Sequence, residues 1–234
     1  MNTSVQSISL SGLILAFLPT LFVLGILFRW SLNAGTALYA VVRMLIQLLL
    51  IGYLLIYIFS ADHPGIIISV ITVMLVAASW IALRPLKNRP PHLYWKALGA
   101  IFLGGIPTLV LVTQVVLAIQ PWFLPRYFIP LAGMIFASCM NTVSVAAERF
   151  EAECADARPY IDARNTALQA ALIPVTNSLF AVGLVSLPGM MTGQILSGIS
   201  PLVATQYQIV VMCMIFGASG ISATLYLVLA KPRS

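Results

Sequence analysis

Long apolar runs separated by short polar or proline-rich breaks dominate this sequence. Each run approaches the length of about 20 residues that an α-helix needs to cross a bilayer. The pattern predicts seven spans, at residues 8–28, 35–59, 66–83, 97–119, 127–147, 166–187 and 203–230. We therefore expect an all-α, polytopic membrane protein in which residues 1–234 form a single transmembrane domain.

The composition supports this interpretation. Hydrophobic side chains make up 61% of the chain and charged ones only 8%, whereas a soluble domain carries about 25% charged residues. The net charge of +6 could indicate a nucleic-acid partner. However, the basic residues are scattered between the apolar runs, so we interpret them as topology signals.

The distribution of lysine and arginine predicts the orientation, because cytoplasmic loops retain an excess of both. With a cytoplasmic C-terminus, ten basic residues fall on the inner side: Arg29, Arg84, Lys87, Arg89, Lys96, Arg149, Arg158, Arg164, Lys231 and Arg233. Only Arg126 falls on the outer side. The N-terminus is therefore expected outside, and the acidic segment at about 148–165 is expected in the cytoplasm.

Arg43 and Gln47 lie one helical turn apart in the second span, so both side chains point to one face. An arginine at a helix centre costs about 2.5 to 3.5 kcal/mol on insertion scales and commonly marks a pathway or a bound anion. Arg43 is also close enough to the cytoplasmic end for its side chain to reach the headgroups. A structural role and a pathway role both stay open.

The segment 187–201, Leu-Pro-Gly-Met-Met-Thr-Gly-Gln-Ile-Leu-Ser-Gly-Ile-Ser-Pro, is uncharged and rich in glycine and proline. Non-helical backbone at membrane depth is tolerated where it lines a cavity or is buried in protein. Gly189 and Gly193 form a GxxxG step that permits close helix packing, and Met190 and Met191 carry thioethers that suit soft metals. A gate and simple packing are both compatible with this segment.

Two kinds of enzyme are not supported by the sequence. Residues 217–220, Gly-Ala-Ser-Gly, match the GxSG of intramembrane serine proteases, but no histidine follows Ser219 to act as its base. Small packing residues explain Gly217, Ser219 and Gly220. The phosphate-binding pattern G-x-x-x-x-G-K-[ST] does not occur, so we expect a chain that is not an enzyme and lacks ATPase motifs.

Five of the six acidic residues lie between residues 148 and 164. Four of these carboxylates could together hold a cation: Glu148, Glu151, Glu153 and Asp156. A solvated helix facing a partner is the favoured explanation, since Arg149 and Arg158 can pair locally with Glu153 and Asp162.

Several motifs resemble those of the FetB-type ABC transporter permeases, a family that includes the bacterial iron-export permease and plant aluminium-tolerance proteins. They are Ala171-Leu-Ile-Pro174, Val182-Gly-Leu-Val-Ser-Leu-Pro-Gly-Met-Met-Thr-Gly-Gln194, Tyr207-Gln-Ile-Val210, Arg43-Met-Leu-Ile-Gln47, Ala132-Gly-Met-Ile-Phe136, Met140-Asn141 and Glu148-Arg-Phe150. The resemblance covers nearly the whole chain.

This resemblance implies a multi-pass permease of the bacterial inner membrane. It also implies that two copies pair with two copies of a cytoplasmic ATPase, which would carry the ATP and Mg²⁺, while this chain holds no cofactor. The cargo would be a metal ion such as iron. An anionic metabolite or sugar nucleotide is an alternative, and so is a channel, carrier or scaffold that works without an ATPase.

Two sets of residues become candidates for these roles. The candidates for the pathway or gate are Arg43, Gln47, Asn141, Asn177, Pro188, Gly189, Met190, Met191, Thr192, Gly193 and Gln194. The candidates for ATPase docking are Glu148, Arg149, Phe150, Arg158, Pro159, Tyr160, Asp162 and Arg164. Family members carry a longer cytoplasmic loop after the fifth span, with a Leu-Gly-Ala-Thr/Ser-Pro stretch that resembles a coupling helix, and this chain lacks that stretch.

Overall fold

The computed structural model describes residues 8–59, 63–87 and 89–231. These residues are helical apart from short connections and one isolated bridge between Val182 and Ser186. The α-helices are α1 (Leu10–Leu15), α2 (Leu18–Arg29), α3 (Ala34–Phe59), α4 (Pro64–Ala82), α5 (Pro91–Val110), α6 (Pro125–Ala155), α7 (Tyr160–Ala181), α8 (Gly189–Leu196) and α9 (Pro201–Leu229). A π-helical turn, Leu111–Val116, continues α5.

Proline marks the beginning of several of these helices. Pro64, Pro91, Pro125 and Pro201 lie in the first turns of α4, α5, α6 and α9. A proline there loses nothing, because the first N–H groups of a helix have no partner within the helix. The prolines that separate the apolar runs in the sequence therefore mark where these helices begin.

The contacts divide the chain into two compact units, residues 1–61 and 62–234. In the first unit, α2 packs against α3. In the second unit, α6 and α9 are the central helices, since α4, α5 and α7 pack against α6 and α5, α7 and α8 pack against α9. A single domain over residues 1–234 stays a prediction.

The tightest packing in the second unit joins α5 to α9. A Cβ atom added at Gly104 would lie 2.2 Å from Ser222 Oγ and 2.9 Å from the Ser222 backbone nitrogen. Small buried residues surround this contact on both helices, among them Ala100 and Ala218. Helices within a membrane approach closely in this manner, since lipid supplies no hydrophobic force to hold them together.

Among the described residues, six helical segments are long and apolar enough to cross a membrane: Leu10–Arg29, Ala34–Phe59, Pro64–Ala82, Pro91–Val116, Pro125–Ala155 and Pro201–Leu229. They correspond to six of the seven predicted spans. The remaining prediction, residues 166–187, falls on α7, a 22-residue helix that is not among the six. The helical membrane fold is thus confirmed, while the count of seven and the orientation stay predictions. Arg233, used for that orientation, lies outside the described residues.

Two helix boundaries differ from the sequence prediction for physical reasons. Helix α7 ends at Ala181 because the chain turns at Gly183, whose φ of 82° favours glycine. Helix α6 runs to Ala155, eight residues past the predicted span, as one helix of 31 residues. At 1.5 Å per residue it is about 46 Å long, longer than the hydrocarbon core of about 30 Å. Its polar C-terminal end therefore has the length to project beyond the membrane.

Candidate functional site: an uncharged cavity and a charged corner

A cavity of about 460 Å³ lies in the second unit between α6, α7 and α9. The turn after α7 and the first turn of α8 complete its wall through Val182, Ser186, Pro188, Gly189 and Met190. Its volume falls in the range of about 300 to 1,000 Å³ that is typical of small-molecule sites. The beginning of the glycine- and proline-rich segment 187–201 is therefore part of a cavity wall.

Among the described residues, no charged side chain, histidine or cysteine belongs to the lining of this cavity. Its polar groups are the hydroxyls of Ser138, Thr142, Ser178 and Ser186 and the amides of Asn141 and Gln208. Met134, Met190 and Met212 add three thioethers, each from a different helix. The arrangement can bind through neutral oxygen and sulfur atoms, and it supplies no group with a full charge.

Most hydroxyl protons in the cavity wall are used within the protein. Thr142 Oγ1 donates to the backbone oxygen of Ser138 at 2.9 Å, and Ser178 Oγ donates to that of Pro174 at 3.0 Å. The hydroxyls of Ser138 and Ser219 lie 2.7 Å apart and join α6 to α9. Ser219 is fully buried, which agrees with a packing role and leaves no nucleophile open to a substrate.

Gln208 differs from Thr142, the other buried polar side chain of the wall. It is only 6% exposed, and its Oε1 atom has no hydrogen-bond partner among the described residues. A buried amide oxygen without a partner costs about 1 to 3 kcal/mol. The atom itself has less than 1 Å² of accessible surface, so it would meet a ligand in the cavity only after the side chain turns.

A second polar region, which we call the α6–α7 corner, comprises residues 148–164, where α6 turns back into α7. Its centre is Glu153, which is only 3% exposed. Arg149 Nη2 lies 2.6 Å from Glu153 Oε1, and Arg158 Nε lies 3.0 Å from Glu153 Oε2. Glu153 therefore pairs with both arginines, and the predicted partner Asp162 forms no ion pair in the described part of the chain.

Tyr160 fixes the corner to the end of α9. Its hydroxyl donates to the backbone oxygen of Leu227 at 3.2 Å, and its ring packs edge-to-face on Phe150 with centroids 6.0 Å apart. Two cations, Arg164 and Lys231, lie 5.8 and 5.5 Å from the same ring, within the range of a cation–π interaction. On the other side of the corner, Lys87 N–H donates to Glu151 Oε2 at 3.2 Å.

The corner does not form a cation site. No group of three or more histidine, cysteine, aspartate or glutamate side chains that could hold a metal occurs within residues 8–59, 63–87 and 89–231. The carboxylate of Glu153 is already neutralised by two arginines. These contacts favour a surface that is stabilised by its own ion pairs over one that binds a cation.

Comparisons with known proteins place the chain in a family. The model of the uncharacterised protein family UPF0014 matches residues 10–164 and 159–234. The chain belongs to the UPF0014 family.

Members of this family in distant organisms are similar along most of the chain. UPF0014 membrane protein slr1647 of Synechocystis is 37% identical, with 86% of each chain covered. Protein ALUMINUM SENSITIVE 3 of Arabidopsis thaliana is 35% identical over 86% of this chain and 78% of its own. The Escherichia coli protein named "Probable iron export permease protein FetB" is 31% identical over 79% of this chain and 76% of its own. No solved structure matches.

The UPF0014 membership and the apolar helices together identify a multi-pass membrane protein, as expected from the sequence. The cavity brings together four of the predicted pathway residues: Asn141, Pro188, Gly189 and Met190. The other candidates are not part of its lining. Arg43 and Gln47 lie on α3 in the first unit, Asn177 is exposed on α7, and Met191, Thr192, Gly193 and Gln194 lie further along α8.

Sequence reasoning missed Gln208, Met134 and Met212. Gln208 stands in the Tyr207-Gln-Ile-Val210 motif, and Met134 stands in Ala132-Gly-Met-Ile-Phe136, but neither was singled out within its motif. The available signal was a glutamine in an otherwise apolar span. The GxxxG step also differs from the packing interpretation, since a Cβ atom added at Gly189 or Gly193 would meet no atom within 4 Å.

Proposed function

We propose that this chain is the membrane-spanning permease subunit of an ATP-driven ABC transporter that exports a metal ion such as iron. The observation that carries the proposal is its 31% identity to the Escherichia coli protein named as a probable iron export permease, over 79% of this chain. The transporter would work in the bacterial inner membrane as a homodimer of this chain with two cytoplasmic ATPase subunits.

The proposed docking surface is the α6–α7 corner. Five of its residues are exposed: Glu148, Arg149, Arg158, Pro159 and Asp162. Phe150 is buried, and its ring packs edge-to-face on the ring of Tyr160. The ring contact of Phe150 with Tyr160 links α6 to α7, and the Tyr160–Leu227 hydrogen bond links α7 to α9. A displacement of the corner would therefore be transmitted to the helices that line the cavity. ATP and Mg²⁺ would bind to the partner subunit.

The proposal can be tested in inside-out membrane vesicles that contain this chain and the ATPase subunit. We expect the two subunits to copurify, and we expect ATP to drive accumulation of radioactive ferrous iron, kept reduced by ascorbate, inside the vesicles. Transport at the same rate without ATP would contradict the proposal and favour a channel or carrier.

A pair of charge reversals on one helix tests the docking surface. Glu148→Arg changes an exposed residue near the C-terminal end of α6, and Arg126→Glu changes an exposed residue at its N-terminal end. We expect the first variant to reduce copurification and ATP-driven transport, since it reverses a charge at the proposed contact. Equal loss in the Arg126 variant would place the docking surface elsewhere.

A further inference from the structure

The three methionines of the cavity wall are a feature that the proposed function leaves unused. Met134, Met190 and Met212 come from α6, α8 and α9, so the fold brings them together from distant parts of the sequence. Each is partly exposed, whereas the deepest packing residues of α6 and α9 are fully buried. These side chains therefore reach the surface of the cavity and do not merely fill the core.

An unpartnered oxygen lies on the same wall. Gln208 precedes Met212 by one helical turn, so both side chains point to one face of α9. Gln208 is more than nine-tenths buried and its Oε1 atom has no partner among the described residues. This second observation is independent of the methionines: an acceptor beside the cavity wall is left unsatisfied by the described residues.

The chemistry of the lining selects among possible ligands. Hard divalent cations require carboxylates and other oxygen ligands, and no carboxylate, imidazole or thiolate lines this cavity. An anion would be favoured by an arginine or lysine, and the lining has neither. Thioethers are soft ligands that favour monovalent copper. A single positive charge also loses less hydration energy in an uncharged cavity than a double charge does.

We infer that the cavity is a binding site for a soft monovalent cation, Cu⁺ or its analogue Ag⁺, with Met134, Met190 and Met212 as thioether ligands and Gln208 as a supporting oxygen donor. This inference rests on the proposed function only if the bound cation is taken to be the transported cargo. Binding itself needs neither ATP nor the ATPase subunit.

The test uses Ag⁺, which cannot be oxidised under these conditions as Cu⁺ can. The purified full chain in detergent is first freed of competing thiols through Cys139→Ala, Cys154→Ser and Cys213→Ser. If that variant does not fold, the unmodified chain is used after N-ethylmaleimide has blocked its exposed cysteines, Cys154 and Cys213. Silver retained after gel filtration is then measured by mass spectrometry.

We expect one Ag⁺ per chain, with an affinity that falls about tenfold or more in each of Met134→Leu, Met190→Leu and Met212→Leu. Leucine has a similar volume, so these variants should remain folded. Met191→Leu is the matched control, because Met191 neighbours Met190 on α8 but is not part of the lining, and its affinity should not change. Excess Mg²⁺ should not displace silver.

Three results would overturn the inference: no saturable silver binding, equal binding by the triple leucine variant, or the same loss in Met191→Leu as in Met190→Leu. These outcomes are separable from those of the proposed function. Absent silver binding leaves ATP-driven iron transport unaffected, and absent ATPase coupling leaves silver binding unaffected.

Discussion

The two halves of α9 have opposite surroundings although they belong to one helix. Its C-terminal half packs against Gly104 of α5 through Ser222 and accepts the Tyr160 hydrogen bond at Leu227. Its N-terminal half faces the cavity with Gln208 and Met212. The comparison teaches that small residues close one half of α9 against α5, while the other half lines a cavity. A buried side-chain oxygen without a hydrogen-bond partner among the described residues occurs in each half, Ser222 Oγ in the first and Gln208 Oε1 in the second.

The largest loss of stability is expected from adding a side chain where α5 packs against the C-terminal half of α9. Gly104→Val would place side-chain atoms against the backbone of Ser222 and destabilise the protein by about 3 kcal/mol. Gly99→Val is the control, since it adds the same side chain to α5 where nothing lies within 4 Å. Thermal unfolding in detergent measures both. Similar unfolding temperatures would mean that the close contact does not form.

A smaller effect is expected at the corner that holds the end of α9. Glu153→Gln removes the charge that pairs with Arg149 and Arg158, and should destabilise the protein by about 1 to 2 kcal/mol. The loss is limited because both arginines are about half exposed. Glu148→Gln is the control, because Glu148 is exposed and forms no ion pair within the described residues. Its unfolding temperature should equal that of the parent protein. If Glu153→Gln left the free energy of unfolding unchanged, the ion pairs of Glu153 would not stabilise the corner.

The smallest effect on stability is expected in the open half. Gln208→Leu removes an amide whose oxygen has no partner among the described residues, so the free energy of unfolding should stay the same or rise by up to about 1 kcal/mol. The same thermal unfolding assay measures it. A clear loss of stability would show that the amide is satisfied in the folded protein and would remove the contrast between the two halves.

The sequence predicted the elements of the fold better than their ends. Six predicted spans correspond to long apolar helices, because the length of an apolar run and its flanking prolines are local properties. The end of α7 was wrong by six residues, because the turn at Gly183 lies within an apolar stretch that hydropathy cannot divide. Helix α6 continues to Ala155, past the end of its predicted span, because polar residues end a span but need not end a helix.

The candidate site divides in the same way. The glycine-rich segment drew attention to Pro188, Gly189 and Met190 from its composition, and all three line the cavity. Nothing in the local sequence indicated that Met134, Met212 and Gln208 would face the same space. Likewise, Arg158 was assigned the nearby Asp162, although the turn between α6 and α7 brings it to Glu153.

The sequence by itself determined a helical membrane protein of the UPF0014 family, since apolar run lengths and family motifs are written in consecutive residues. Only the tertiary structure decided which side chains share the cavity. The physical reason is that these contacts join residues separated by many positions along the chain. Their partners are set by how α6, α7 and α9 pack, and no local pattern records that packing.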